Sequence, residues 1–211
     1  MQAGVRHFLA RLKTGTSPII VILVGPNGAG KSTFYSRYLK SLKLPFINAD
    51  VIGKGMVDAG APSGEETERI AANLAERRRR ELITKHESFV TETVFSDPVG
   101  AKVTALRDAQ AAGYAVFMIF VCVDSVQLSA FRVQSRVSMG GHDVPPDKIE
   151  GRYERMRKNV KAALTFVDFA VILDNSFLDV PLRFVALVES GKVSVKIRDV
   201  PWWAKDVLSA L

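Results

Sequence analysis

The stretch Gly25-Pro26-Asn27-Gly28-Ala29-Gly30-Lys31-Ser32-Thr33 constrains this chain more than any other. It satisfies G-x-x-x-x-G-K-[ST], a pattern whose backbone N–H groups and lysine cradle phosphate. The flanks meet the conditions the pattern sets. Ile19 to Val24 is a run of apolar, mostly β-branched residues, which reads as a strand buried on both faces. Phe34/Tyr35, Tyr38/Leu39 and Leu42 then recur at helical spacing and predict a helix over about 31–42. The glycines permit backbone angles that let successive N–H groups converge on an anion. The opening helix adds the positive end of its dipole. On this reading residues 25–33 bind a nucleoside triphosphate, ATP or GTP. Lys31 reaches the β- and γ-phosphates and the Ser32 hydroxyl coordinates Mg²⁺.

Size and composition fit that reading. A chain of 211 residues is long enough for one domain with a sizeable core. The single cysteine, Cys122, lies inside an apolar run, so no disulfide forms within the chain and the residue reads as inert core. Residues 1–16 are polar and basic, without the apolar stretch of a signal peptide. The longest apolar run, Ala115 to Val123, is too short to span a membrane. A cytoplasmic protein without a membrane segment is the expectation. The formal net charge of +7 suits an acidic ligand such as a nucleotide and is also compatible with nucleic acid or an acidic protein.

Taken in order, residues 1–18 form a short helix or tail. Residues 45–50 form a short strand ending in Asp50, and 51–62 read as a loop because of Gly53, Gly55, Gly60 and Pro62. Ser63-x-x-Glu66 is a capping box opening a helix to about 85, with Ile70, Leu74 and Leu82/Ile83 on its buried stripe. The run Arg77 to Arg80 on that helix covers all its sides and reads as a solvated face, with Glu76 and Glu81 for partners. A third strand ends at Glu92-Thr93, and Asp97-Pro98 starts the next helix. A fourth strand spans 114–123, and Asp124 or Ser125 caps a helix to about 137. The 138–146 loop contains Gly140, Gly141 and His142. A helix over about 147–165, a fifth strand at 169–173, a hairpin (184–189 and 193–198) and a short helix after Trp202-Trp203 complete the chain. The prediction is an α/β, nucleotide-kinase-like P-loop fold of three layers. It has a five-stranded, mostly parallel, doubly wound sheet and a small C-terminal β-hairpin. One domain covers 1–211, with a core of 18–176, a lid at about 132–155, and the hairpin and helix at 177–211.

In such sheets ligands bind outside the carboxyl ends of the strands. Those ends carry Asn48/Asp50, Glu92/Thr93, Asp124/Ser125 and Asp174/Asn175/Ser176 beside the glycine loop. Asp50 is a candidate base for a hydroxyl attacking the γ-phosphate, or a holder of Mg²⁺ through water. Asn48, Glu92 and Thr93 are candidates for the acceptor, Glu92 by bonding its hydroxyls or amide. Arg132 and Arg136, four apart on one helix, and Arg152 on the next bracket the 138–146 loop as hinges of a lid. Phosphoryl transfer calls for such positive charge over the γ-phosphate. His142 has no metal-ligand partners spaced around it.

These pieces together resemble the zeta-toxin-like P-loop kinases. The matching segments are Gly-Pro-Asn-Gly-Ala-Gly-Lys-Ser-Thr at 25–33, Ile-Asn-Ala-Asp at 47–50 and Phe-Val-Thr-Glu-Thr at 89–93. Gly-Tyr-Ala-Val at 113–116, Arg-Val-x-x-x-Arg-Val-x-x-Gly-Gly-His-x-Val-Pro at 132–145, Arg-Tyr at 152–153 and Asp-Asn-Ser at 174–176 complete them. The resemblance implies ATP- or GTP-dependent phosphorylation of a small hydroxyl substrate, UDP-N-acetylglucosamine in the true toxins. It implies Lys31 on phosphate, Asp50 as base, Glu92 at the acceptor, and an acidic antitoxin as a protein partner. The Gly-Gly-His loop departs from the toxins' own lid and is closer to a branch known only as predicted ATPases.

Two other classes stand against this. The first is a P-loop ATPase acting as a switch or partner-binding protein. An ABC engine is disfavoured by the lack of Leu-Ser-Gly-Gly-Gln, and a GTPase by the lack of Asn-Lys-x-Asp. The second is a nucleic-acid binder using the helix around Arg77 to Arg80, disfavoured because no aromatic residues are interleaved for base stacking.

Overall fold

The computed structural model describes residues 2–12, 15–137 and 146–211, with side chains described as far as residue 135 and again from 150. Helix α1 (Ala3–Arg11) leads to β1 (Ile19–Val24), and the glycine loop opens into α2 (Lys31–Phe34). The expected 31–42 helix continues as a π-helical stretch, Tyr35–Leu39, and a 3-10 turn, Lys40–Leu42, ending at Lys43 with φ 55°. Then come β2 (Phe46–Asn48), α3 (Ala49–Asp58), α4 (Glu65–Thr84), β3 (Phe89–Thr93), α5 (Ala101–Ala111) and β4 (Ala115–Cys122). Helices α6 (Val126–Val137) and α7 (Pro146–Leu164) precede β5 (Phe169–Asp174), β6 (Arg183–Glu189), β7 (Lys192–Lys196) and α8 (Trp202–Leu208). The 138–145 part of the expected lid, with His142, lies outside the described residues.

The sheet runs β2-β3-β1-β4-β5-β6-β7. Its first five strands are parallel and the last two antiparallel. It therefore has seven strands where five were expected, because the hairpin is not an appendage. β6 pairs along β5, and Val185, Ala186 and Val188 are buried. Strand β6 is apolar on both faces, so it covers an edge of β5 that would otherwise be open. Ser190 and Gly191 turn the hairpin with φ 47° and 74°, the left-handed pair a two-residue hairpin turn asks for.

Alternation along β1 divides the core. Ile20, Ile22 and Val24 face Leu82, Leu106, Met156, Val160 and Trp203. Val21 and Leu23 face Phe8, Phe34 and Leu39 on the other side. A strand buried on both faces at the centre of two layers is what the run of β-branched residues requires. Trp203 plugs one end of the core, edge-on to Phe120 at 5.5 Å, while Trp202 is half-exposed.

Four local expectations change. Residues 49–58 are helical, not loop, because the Asn48 side chain accepts the Asp50 N–H at 2.8 Å and caps α3. Gly53 also fits close to Ala71 of α4, where a Cβ would sit 3.5 Å away. The Ser63 capping box does not form, since Gly64 holds the cap position with φ 146°. The buried stripe of α4 is Thr67, Ala71, Ala75 and Leu82, so Ile70 is left exposed. Small residues face inward because α3 lies against that side. Helix α5 starts at Ala101, three residues later than the Asp97-Pro98 signal, with Gly100 at the cap and the Asp97 carboxylate accepting the Ala101 N–H. The arginine run is paired as its spacing suggests. Arg77 and Arg78 reach Glu81, and Arg79 and Arg80 reach Glu76. Such pairs contribute about 0–1 kcal/mol each.

Candidate active site

The glycine loop joins β1 to α2 at the carboxyl edge of the sheet, and three neighbouring elements shape it. Against Gly25 lies β4, since a Cβ there would overlap the Val121 carbonyl oxygen, and its φ is 152°. From α6, buried Ser129 donates its hydroxyl to the Asn27 carbonyl at 2.6 Å. From the end of β5, the Asn175 amide donates to the Ala29 carbonyl at 2.8 Å, and a Cβ on Gly30 would come within 2.6 Å of that nitrogen. With these carbonyls tied outward and the glycines in left-handed conformations, the loop presents N–H groups to an anion.

Lys31 is buried, 7% exposed, and donates to the carbonyls of Gly25 and Pro26 at 3.0 Å each. Beside it comes Glu92, 8% exposed, with Oε1 3.9 Å from the ammonium. Both Glu92 carboxylate oxygens accept the Ser32 hydroxyl at 3.0 Å. The register explains this meeting. Glu92 of β3 lies opposite Leu23 of β1 on one side and Asn48 of β2 on the other. The acidic neighbour of the loop lysine is therefore on β3, the strand that separates β1 from β2. Sequence reasoning placed Glu92 at the acceptor; in the structure its carboxylate lies beside Lys31 and Ser32.

The remaining candidates spread outward from there. Asp50 is exposed in the first turn of α3, just past the end of β2. Asn48 is buried and spends its side-chain oxygen on the α3 cap. The Thr93 hydroxyl accepts the Phe95 N–H at 3.0 Å. Arg132 turns its guanidinium to the carbonyls of Asn175 and Ser176, at 2.7 and 3.4 Å. Arg152 is half-buried on α7, one residue before the core residue Tyr153. The side chain of Arg136 lies outside the described residues. Thr33 is exposed next to Ser32 on α2.

Two groups that hold the loop were weakly signalled in the sequence. Ser129 carries no motif and looks like any helical residue. Asn175 stood out as one of three polar residues at a strand end and within the Asp-Asn-Ser segment of the resemblance, with no role given to it. Its neighbour Asp174 is structural, buried at 1% and paired with Arg183 at 2.7 Å. Ser125 accepts the Leu128 N–H at 3.1 Å and caps α6, as its position suggested. Burial pushes the Cys122 thiol up to about 12, which leaves it protonated and unreactive in the core.

Among the described residues no group of three or more His, Cys, Asp or Glu side chains is arranged to hold a metal. A magnesium–phosphate site does not need one, because Mg²⁺ keeps several waters and takes substrate oxygens with only one or two protein ligands. The Ser32 hydroxyl with the Glu92 carboxylate beside it fits that donor set.

A parallel sheet with a phosphate-cradling loop at its carboxyl edge, a buried lysine in the loop and a carboxylate on the adjacent strand define a P-loop phosphotransferase. The zeta toxin family model matches residues 6–177, and the chain belongs to that family. Among known proteins it is similar to an uncharacterized protein of Haemophilus influenzae, 25% identical over 137 residues, which are 63% of this chain and 91% of that protein. Among solved structures it is similar to one from the PezAT chromosomal toxin–antitoxin system of Streptococcus pneumoniae. That match has a TM-score of 0.62 at 17% identity, covering 99% of this chain and 93% of that one. It is also similar to a chain of the AvrRxo1-ORF1:AvrRxo1-ORF2 complex with sulphate ions, with a TM-score of 0.61 at 15% identity over 92% of this chain and 70% of that one. A form of that complex with ATP matches with a TM-score of 0.57 at 16% identity, covering 90% and 63%. Among the described residues no helix is long and apolar enough to cross a membrane.

Proposed function

We propose that this protein transfers the γ-phosphoryl group of ATP to a hydroxyl of a sugar nucleotide such as UDP-N-acetylglucosamine. The observation that carries the reading is the convergence of buried Lys31 and Glu92 with exposed Ser32 at one end of the site, with exposed Asp50 one strand further along the same sheet edge. The sugar nucleotide comes from the family resemblance, and the donor from the loop and from the ATP-bound neighbour.

In this mechanism the loop N–H groups hold the phosphates of the donor. Lys31 leaves the carbonyls of Gly25 and Pro26 for the β- and γ-phosphate oxygens, where its charge offsets the negative charge of the transfer step. The acceptor hydroxyl approaches from the β2 side, and its proton passes to the Asp50 carboxylate as its oxygen bonds to the γ-phosphorus. The bond from that phosphorus to the β–γ bridging oxygen breaks, and ADP leaves. Ser32 and Glu92 would hold Mg²⁺, directly or through its water, and the ion would supply neutralisation of the phosphates' negative charge. This gives Glu92 a metal role in place of the acceptor role. Arg132, Arg136 and Arg152 remain candidates for charge over the donor. An acidic partner protein, of the antitoxin type named for the pneumococcal system, fits the net charge of +7 and belongs to the same proposal.

The test is incubation with labelled ATP and Mg²⁺ against a panel of UDP-sugars and other hydroxyl metabolites, reading products by mass. A phosphorylated UDP-sugar supports the reading. ATP turnover that no acceptor accelerates would favour the switch-type ATPase instead.

A further inference from the structure

We propose that the outer face of α1 and of the helical stretch 31–42 docks the phosphate backbone of a nucleic acid, away from the candidate active site. The charge of the chain is unevenly placed. The first 49 residues hold seven lysines and arginines and no aspartate or glutamate. The other 22 of the 29 basic residues are balanced by the 22 acidic ones, all from Asp50 onward. The whole formal net charge of +7 therefore belongs to one continuous segment.

The fold gathers that segment into one layer. Helix α1 lies against β5 and β6, and Phe34 and Leu39 of the 31–42 stretch share an apolar cluster with Phe8, Val21 and Leu23. Both elements spend their apolar side on the sheet and turn charge to water. Arg6, Arg11, Arg37, Lys40 and Lys43 are exposed, while Lys31 is buried in the phosphate loop. The placement of Lys13 lies outside the described residues. The cationic ends of both elements reach the amino edge of the sheet. The Arg11 guanidinium lies 5.5 Å from the ring centroid of Phe169, the first residue of β5, and Lys43 leads into β2. The phosphate loop is at the carboxyl edge, so a polyanion on this face leaves the nucleotide site open. From β1 to β5 is two strand spacings, which sets the two cationic rows about 10 Å apart.

This charge is not neutralised within the protein. On α4, arginines find glutamates three or four residues away. Along 2–49 there is no acidic residue to play that part, and among the described residues Arg6, Arg37, Lys40 and Lys43 enter no ion pair. What the face lacks selects the anion. Among the described residues of 2–49 no large apolar side chain is exposed. Protein interfaces are depleted of charge at their core, and a helix lying on a membrane inserts an apolar face. The apolar face of α1, with Val5, Phe8 and Leu12, is already in the protein's own core. Phosphates ask for neither. They are held by lysines, arginines and hydroxyls, and Ser36 and Ser41 are exposed beside Arg37 and Lys40. Backbone contacts of this kind do without the stacking aromatics whose absence counts against α4.

Fluorescence anisotropy on the full chain, with labelled DNA and RNA duplexes of one sequence, tests the proposal. Binding is expected at 50 mM salt and should weaken about 10²-fold by 200 mM, the fall for four neutralised phosphates. The triple variant Arg37→Gln, Lys40→Gln, Lys43→Gln should bind at least tenfold more weakly, with the salt slope reduced by about one per residue changed. Its Tm and its affinity for Mg-ATP should match wild type, which shows that it folds. The pair Arg77→Gln, Arg78→Gln on α4 should bind within twofold of wild type. No binding of either duplex at 50 mM salt overturns the proposal, and so does equal binding by wild type and the triple variant. Displacement by Mg-ATP at constant ionic strength overturns it too, since the duplex would then occupy the phosphate loop. Tighter capture of poly-glutamate or of phosphatidylserine vesicles would make the face a protein or membrane surface instead. None of these results bears on phosphoryl transfer, which the acceptor panel decides.

Discussion

The phosphate loop and the helix that carries Asp50 sit on the same edge of the sheet, yet they are held in different ways. Buried Ser129 from α6 and Asn175 from the end of β5 bind the loop's outer carbonyls, and β4 closes against Gly25. Helix α3 has one side-chain cap, from Asn48, and no buried residue along its ten. It contains two glycines, Gly53 and Gly55, which weaken a helix by about 0.5–1 kcal/mol apiece relative to alanine. Segments with few buried contacts open at low free-energy cost. On the proposed function, the donor side is thus formed before ligand arrives, whereas α3, the proposed acceptor side, can adjust around what binds. A kinase gains from that asymmetry, since a base that reaches its position only with acceptor present leaves less ATP to be lost to water.

The largest effect that would test the contrast is at Asp50. Asp50→Asn keeps size and the α3 cap but cannot take a proton. Transfer to the acceptor is expected to fall by about 10²–10⁴, with Mg-ATP affinity within twofold of wild type. Stability should change little, because the side chain is exposed and its link to the helix dipole is about 0.3–1 kcal/mol. Single-turnover transfer and calorimetry on the same variant check both halves. Transfer at the wild-type rate would remove Asp50 as the base.

The same contrast explains what could be read from the sequence. The loop and its flanks were legible because a run of β-branched residues, three glycines at fixed spacing and a lysine leave few structures open. Strand β1 falls on the residues expected, 19–24. Helix α3 was not legible, because Gly53, Gly55 and Gly60 look like a loop until Asn48 is seen to cap the segment and Ala71 to receive Gly53. The seventh and sixth strands were seen as a hairpin, but pairing of β6 with β5 is a long-range choice no local pattern specifies. Glu92 was singled out for its position at a strand end. Its contact with Ser32 depends on β3 lying next to β1, a strand order the chain does not spell out.

Two asparagines sharpen the comparison further. Asn175→Ala removes a side chain that joins the phosphate loop to the segment after β5, leaving the Ala29 carbonyl and the Leu182 N–H without partners. Each such partly buried group costs about 1–3 kcal/mol, so global stability and ATP affinity should both fall. Asn48→Ala deletes only the α3 cap, worth about 0.5–2 kcal/mol. Its expected signature is faster amide exchange in 49–58 and slower transfer, with ATP affinity unchanged. If Asn48→Ala weakened ATP as much as Asn175→Ala, the two sides of the site would be one mechanical unit and the asymmetry would be lost.

The smallest effect is the most specific to α3. Gly55 is helical, and a Cβ built there meets nothing within 4 Å. Gly55→Ala is therefore expected to stabilise the protein by about 0.5–1 kcal/mol, a rise of about 1–4 °C in Tm for a chain of this size. The same substitution at Gly30, where φ is 96° and the Asn175 amide is 2.6 Å away, has neither the space nor the angle. If α3 must shift to admit the acceptor, stiffening it with Gly55→Ala lowers kcat while the KM for ATP stays put. A higher Tm with unchanged kcat would show that α3 is already placed for catalysis, and the acceptor side would then be as preformed as the donor side.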